Sequence, residues 1–105
     1  MTTPTDSRSD LLTVIVNMRA KPGKERTLRE ALEVLVEPTK QEAGCVEYHW
    51  LQGISDAEVF YFYENWDSIE SHDDHMQTPH MRQIISRVSE LLDGAPTIER
   101  LRRIG

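Results

Sequence analysis

The chain has a single cysteine, Cys45. One thiol cannot close an internal disulfide, so the fold must hold without one, which suits a reducing, cytoplasmic setting. Nowhere do about 18 apolar residues run together, which argues against a membrane-spanning helix. The opening residues, MTTPTDSRSD, lack the apolar segment of a secretory signal. They are polar, and a disordered leader is expected over residues 1–10. Glycine is scarce, and no Gly-rich phosphate loop is present. Basic residues are missing from a long interval. Between Gln41 and Met81 there is no Lys or Arg, while nine Asp and Glu fall there. All four histidines, His49, His72, His75 and His80, lie in the same interval. With a net charge of −6, neither nucleic acid nor an anionic membrane surface is an expected partner. The interval reads either as a solvated acidic surface or as a pocket rim that repels anions and favours neutral ligands.

What remains is a chain of 105 residues, enough for one domain, expected over 11–105. Residues 11–20 alternate, with Leu12, Val14, Val16 and Met18 on one side and Thr13, Ile15, Asn17 and Arg19 on the other; this predicts a strand. Lys21-Pro22-Gly23-Lys24 predicts a turn. Leu28, Ala31, Leu32, Leu35, Val36 and Thr39 then form a helical stripe. Pro38 falls inside it, and the expectation is one kinked helix running to about Glu42, stopped by Gly44. Cys45–Gln52 and Glu58–Trp66 predict two strands joined by a short turn, hence an antiparallel hairpin. Asp67 with Glu70 reads as the capping box of a short helix. Thr78-Pro79 starts another, with Met81, Ile84, Ile85, Val88, Leu91 and Leu92 as its apolar stripe. Thr97–Ile104 is the last strand.

The order β-α-β-β-α-β predicts an α+β fold of ferredoxin-like type: a four-stranded antiparallel sheet with helices on one face. Ile15 and one aromatic side of the hairpin would then face water. A sheet apolar on both sides with one helix layer implies a homodimer packed sheet against sheet.

Four segments carry a resemblance: K-P-G-K (Lys21–Lys24), E-A-G-C (Glu42–Cys45), Y-E-N-W-D-S (Tyr63–Ser68) and H-M-Q-T-P-H-M (His75–Met81). Together they resemble the antibiotic biosynthesis monooxygenase family, in particular its bacterial quinol monooxygenase type. The resemblance implies a dimeric α/β barrel with a pocket between sheet and helices. It also implies oxidation of an electron-rich aromatic, a hydroquinone or a phenolic polyketide, by O₂ with no flavin or metal. Other members of such a family isomerise small metabolites or lack known activity, so an isomerase and a non-catalytic binding or stress protein are the alternatives. Haem-degrading relatives pair an Asn on the first strand with a Trp and a His on the helices. Here Asn17 stands one place out of register, and His75 and Ile85 occupy the other two positions, which weakens a haem reading.

Cofactor-free oxidation needs a base to deprotonate the phenol, groups to hold the anion, and a dry cavity. A neutral histidine is the natural base near neutral pH. His75, which matches the family pattern, is the expected catalytic residue, although the helical wheel turns His72 more squarely to the core. Trp66, Asn17, Tyr63 and His49 are the expected substrate-binding residues. No metal site is expected, because the neighbours His72, Asp73, Asp74 and His75 diverge around a helix.

Overall fold

The computed structural model describes residues 11–105. The leader expected over residues 1–10 lies outside them. Strand β1 spans Leu12–Arg19, β2 Cys45–Gln52, β3 Val59–Trp66 and β4 Thr97–Arg102. Helices α1 (Glu25–Glu33), α2 (Val36–Lys40), α3 (Ile69–Met76) and α4 (Pro79–Val88) complete the domain. The strands form one antiparallel sheet in the order β2-β3-β1-β4. This is the ferredoxin-like arrangement, with the helices on one face.

Alternation along the strands sorts the side chains. Val14 and Met18 of β1, Phe60, Phe62 and Trp66 of β3, and Tyr48 of β2 are buried beneath the helices. Leu28, Ala31 and Leu32 of α1, with Ile84 and Val88 of α4, close over them. Each large side chain so buried contributes about 1.5–3 kcal/mol. The other face carries Ile15, Asn17, Tyr61, Tyr63 and Leu51, several of them exposed.

The last helix ends at Val88, short of the expected Leu91 and Leu92, and two further local expectations need correcting. The kinked helix is two helices, interrupted at Val34 and Leu35. Pro38 has no N–H for the Val34 carbonyl, and its ring crowds that carbonyl. The chain tightens there instead, the Leu35 N–H reaching back to the Leu32 carbonyl at 3.0 Å. The cap of α3 is Ser68 rather than Asp67, and its side chain accepts from the Ser71 N–H. The Asp67 N–H is bonded to the Gly44 carbonyl at 2.8 Å, which ties this residue to the start of β2. The Asp67 carboxylate accepts from the Ser71 hydroxyl instead, at 2.6 Å. Thr78 caps α4 with Pro79 in its first turn, as the sequence predicts.

Candidate active site

A cavity of about 250 Å³ lies between the sheet and the helices. Val16, Met18 and Phe62 form its sheet wall, and Leu32 and Leu35 close one side. Helix α4 adds Met81, Ile84, Ile85 and Val88, all apolar. Four polar or titratable side chains reach it, none from α4: Tyr48 of β2, Glu64 of β3, and His72 and His75 of α3. They gather around Trp66, whose ring lies 4.7 Å from that of His75 and 5.8 Å from that of His72, centre to centre. A larger furrow of about 410 Å³ runs over the far face between Thr13, Tyr63 and Leu101. In the cavity beneath the helices, by contrast, burial displaces the pKa of Tyr48, Glu64, His72 and His75.

His75 is 2% exposed. Its Nδ1 lies 2.7 Å from Oε2 of Glu42, in the turn between α2 and β2. A carboxylate only accepts, so Nδ1 carries the ring proton and Nε2 is left with its lone pair. Burial lowers the affinity of this ring for a second proton, and Glu42 offsets part of the effect. The same Oε2 lies 2.7 Å from Nε2 of His80 in the first turn of α4. The Thr78 hydroxyl donates to the His75 carbonyl at 2.8 Å and so fixes the corner between α3 and α4.

His72 differs. Its Nδ1 accepts from the Arg100 guanidinium at 2.9 Å, and Arg100 also pairs with Asp73. A guanidinium only donates, so the ring proton sits on Nε2. Burial, then the Arg100 charge, pushes the His72 pKa down to about 4. The motif and the helical wheel thus agree in space: both histidines of α3 are buried and line the cavity.

Glu64 is the residue the sequence analysis passed over. It is 3% exposed and shares the buried face of β3 with Phe60, Phe62 and Trp66. Burial raises its pKa to about 7, with Glu42 adding to the rise and the hydrogen bond from Trp66 opposing it. Trp66 Nε1 donates to its Oε1 at 2.8 Å. A carboxyl titrating near neutrality against an apolar cavity is suited to acid–base work. Cys45 is half-buried, and burial pushes its thiol up to about 11, so it is no nucleophile near neutral pH.

The other expected binding residues divide. Trp66 is fully buried and holds Glu64 beneath the cavity. Asn17, Tyr63 and His49 lie on the far face of the sheet, away from it. Asn17 sits between Val16 and Met18, which face the helices, so alternation turns it outward. His49 and Tyr63 stack on each other at 6.0 Å, and the Tyr63 hydroxyl accepts from Asn65.

The family model described as antibiotic biosynthesis monooxygenase matches residues 11–87. The chain belongs to this family. An uncharacterized Synechocystis protein, sll1783, is 28% identical over 83 residues, 79% of this chain and 56% of that protein. The match thus spans about half the length of that relative. Rv0793 of Mycobacterium tuberculosis is 30% identical over 79 residues, 75% of this chain and 77% of its own. Among solved structures, PA3566 of Pseudomonas aeruginosa is 32% identical with a TM-score of 0.87, covering 93% of this chain and 98% of that one. Antibiotic biosynthesis monooxygenase domains of this kind share the fold seen here. A conserved Methanosarcina mazei protein is 26% identical with a TM-score of 0.88, over 93% and 97% of the two chains.

Proposed function

We propose that the cavity oxidises a small hydroquinone with O₂, without flavin or metal, and that His75 is its base. The observation that carries this reading is the buried His75 imidazole, oriented by Glu42 at 2.7 Å, at the wall of an apolar cavity. O₂ is a triplet and reacts slowly with closed-shell phenols, but a phenolate gives it one electron directly. His75 Nε2 takes the phenol proton. Electron transfer and radical recombination then form a carbon–oxygen bond, and loss of water leaves a hydroxyquinone. The substrate supplies all the electrons, so one hydroquinone and one O₂ give one hydroxyquinone and one water. Glu64, with a pKa near 7, is suited to returning a proton to the departing oxygen.

The volume favours a single-ring substrate. A cavity of about 150 Å³ holds benzene, and about 250 Å³ leaves room for ring substituents and O₂ but not for a polycyclic polyketide. The acidic interval repels carboxylated substrates and leaves neutral quinols free to enter. Purified, chelator-treated protein is expected to consume O₂ with a panel of hydroquinones, and His75→Ala to slow it at least tenfold, since a general base typically contributes about 10²–10⁴-fold. No rate above buffer autoxidation across the panel would sink the idea. The pairing of His75 with Glu64 also fits an isomerase moving a proton between two carbons, and turnover without O₂ is the result that selects it. We infer further that a second copy covers the far face of the sheet, where Leu51, Tyr61, Tyr63 and Leu101 are exposed.

A further inference from the structure

We propose that Glu42, His75 and His80 form a site for a divalent transition-metal ion of the zinc type, and that loading it takes the base edge of His75 out of use. The site stands on geometry alone; its effect on turnover rests on the reading of His75 given above.

One ligand atom from each residue lies within 4.8 Å of the other two. His75 Nδ1 and His80 Nε2 each lie 2.7 Å from the same oxygen, Oε2 of Glu42. Two imidazole nitrogens and one carboxylate oxygen suit zinc, cobalt and iron, whereas calcium and magnesium want oxygen throughout. The atoms now stand at hydrogen-bond distance because protons hold them together. A tetrahedral ion with bonds of about 2.0–2.1 Å sets its ligand atoms about 3.3 Å apart. Glu42 Oε2 therefore has to withdraw by about half an ångström from each nitrogen, and the two nitrogens, within 4.8 Å of each other, have to settle at the same spacing as the ion replaces the protons.

The three residues come from separate elements, each pinned from outside the cluster. The turn bearing Glu42 is tied to the end of β3 through the Gly44 carbonyl and the Asp67 N–H. The corner between His75 and His80 is fixed by Thr78. Both ion-pair partners of Glu42 are these histidines, so no Lys or Arg among the described residues competes for its charge. His80 is partly exposed and gives an ion access. Three protein ligands leave a fourth position for water.

The consequence for His75 follows from proton counting. A neutral imidazole has one N–H. While Glu42 accepts from Nδ1, that proton is accounted for and Nε2 is basic. An ion on Nδ1 moves the proton to Nε2, which then donates and cannot accept. The ring stays neutral; only its tautomer changes. Occupancy of the cluster thus acts as an off switch for a metal-free reaction.

The test titrates chelator-treated protein with Co²⁺, whose visible d–d absorption intensifies in low-coordinate sites. One Co²⁺ per chain is expected, displaced by Zn²⁺. His80→Gln and Glu42→Gln should each weaken uptake at least tenfold, which is already the effect of losing a mere supporting group. His49→Ala should leave it unchanged, and circular dichroism confirms that the variants are folded. No visible band, or a band lost with His49 rather than His80, overturns the site. In the oxidation assay Zn²⁺ should inhibit the wild type and lose that effect on His80→Gln. Stoichiometric Zn²⁺ binding without inhibition overturns the link to His75. A protein inactive on every hydroquinone leaves the Co²⁺ result standing, so failure of the site and failure of the proposed reaction are told apart.

Discussion

Replacing Glu64 with Gln is expected to stabilise the protein, and to do so only where Glu64 would otherwise ionise. In the fold its pKa is raised from 4.5 to about 7, burial being the main cause. Between these values the unfolded chain has released the proton and the native protein keeps it. Stability therefore falls as pH rises across this window, and the cost is complete above the folded pKa. At about 1.36 kcal/mol per unit, the full cost approaches about 3 kcal/mol. Gln keeps an oxygen for Trp66 Nε1, which donates to Glu64 at 2.8 Å, and it carries no charge to bury. The variant should thus gain about 2–3 kcal/mol more over wild type near pH 8.5 than near pH 5. Urea denaturation at the two pH values, at one protein concentration, measures this. The difference amounts to about 1–2 M in midpoint for the usual urea slopes. Every other titrating group is common to both proteins and largely cancels. An equal offset at both pH values would refute the reasoning, because it would mean that Glu64 is ionised and solvated in the fold.

Light scattering at micromolar concentration should give about twice the 12.2 kDa chain mass, and a stable monomer would refute the sheet-to-sheet pairing. Gly44 has φ +88°, and a Cβ there would stand 2.3 Å from Ser71 Oγ and 2.6 Å from Asp67 Oδ1. Gly44→Ala should therefore cost more than about 1–2 kcal/mol, the left-handed backbone penalty alone, read as a lower denaturation midpoint; an unchanged midpoint would contradict the structure.

The element order and the antiparallel sheet were legible because alternation and helical stripes are strong local signals, and because Thr78-Pro79 and Gly44 punctuate them. Which face of the sheet holds the cavity was not. β1 and β3 carry apolar side chains on both faces: Val14, Phe60 and Phe62 on one, Ile15, Tyr61 and Tyr63 on the other. A polar residue such as Asn17 or His49 then looks equally meaningful on either face. Glu64 did leave a signal, as an acid set in register between Phe62 and Trp66. The pairing of Glu42 with His75 left none, since they meet across 33 positions and only the fold brings them together. The division of the first helix was half visible: Pro38 marked the weak point, but the choice between bend and break depended on where the chain could recover a hydrogen bond.

The side chains around the cavity divide by element: β2, β3 and α3 supply the titratable ones, and α4 supplies only apolar ones. In the proposed reaction, proton transfer and size selection are thereby separated along the chain. Changes at Ile84, Ile85 or Val88 alter the shape of the space without disturbing Glu42, Glu64 or His75. On the proposed reaction, a lineage built this way could exchange one substrate for another by rewriting these three positions of one helix while His80, on the same helix, stays on Glu42. It follows that relatives with the same polar groups need not share a substrate, and that the residues of α4 are where divergence in specificity should be sought.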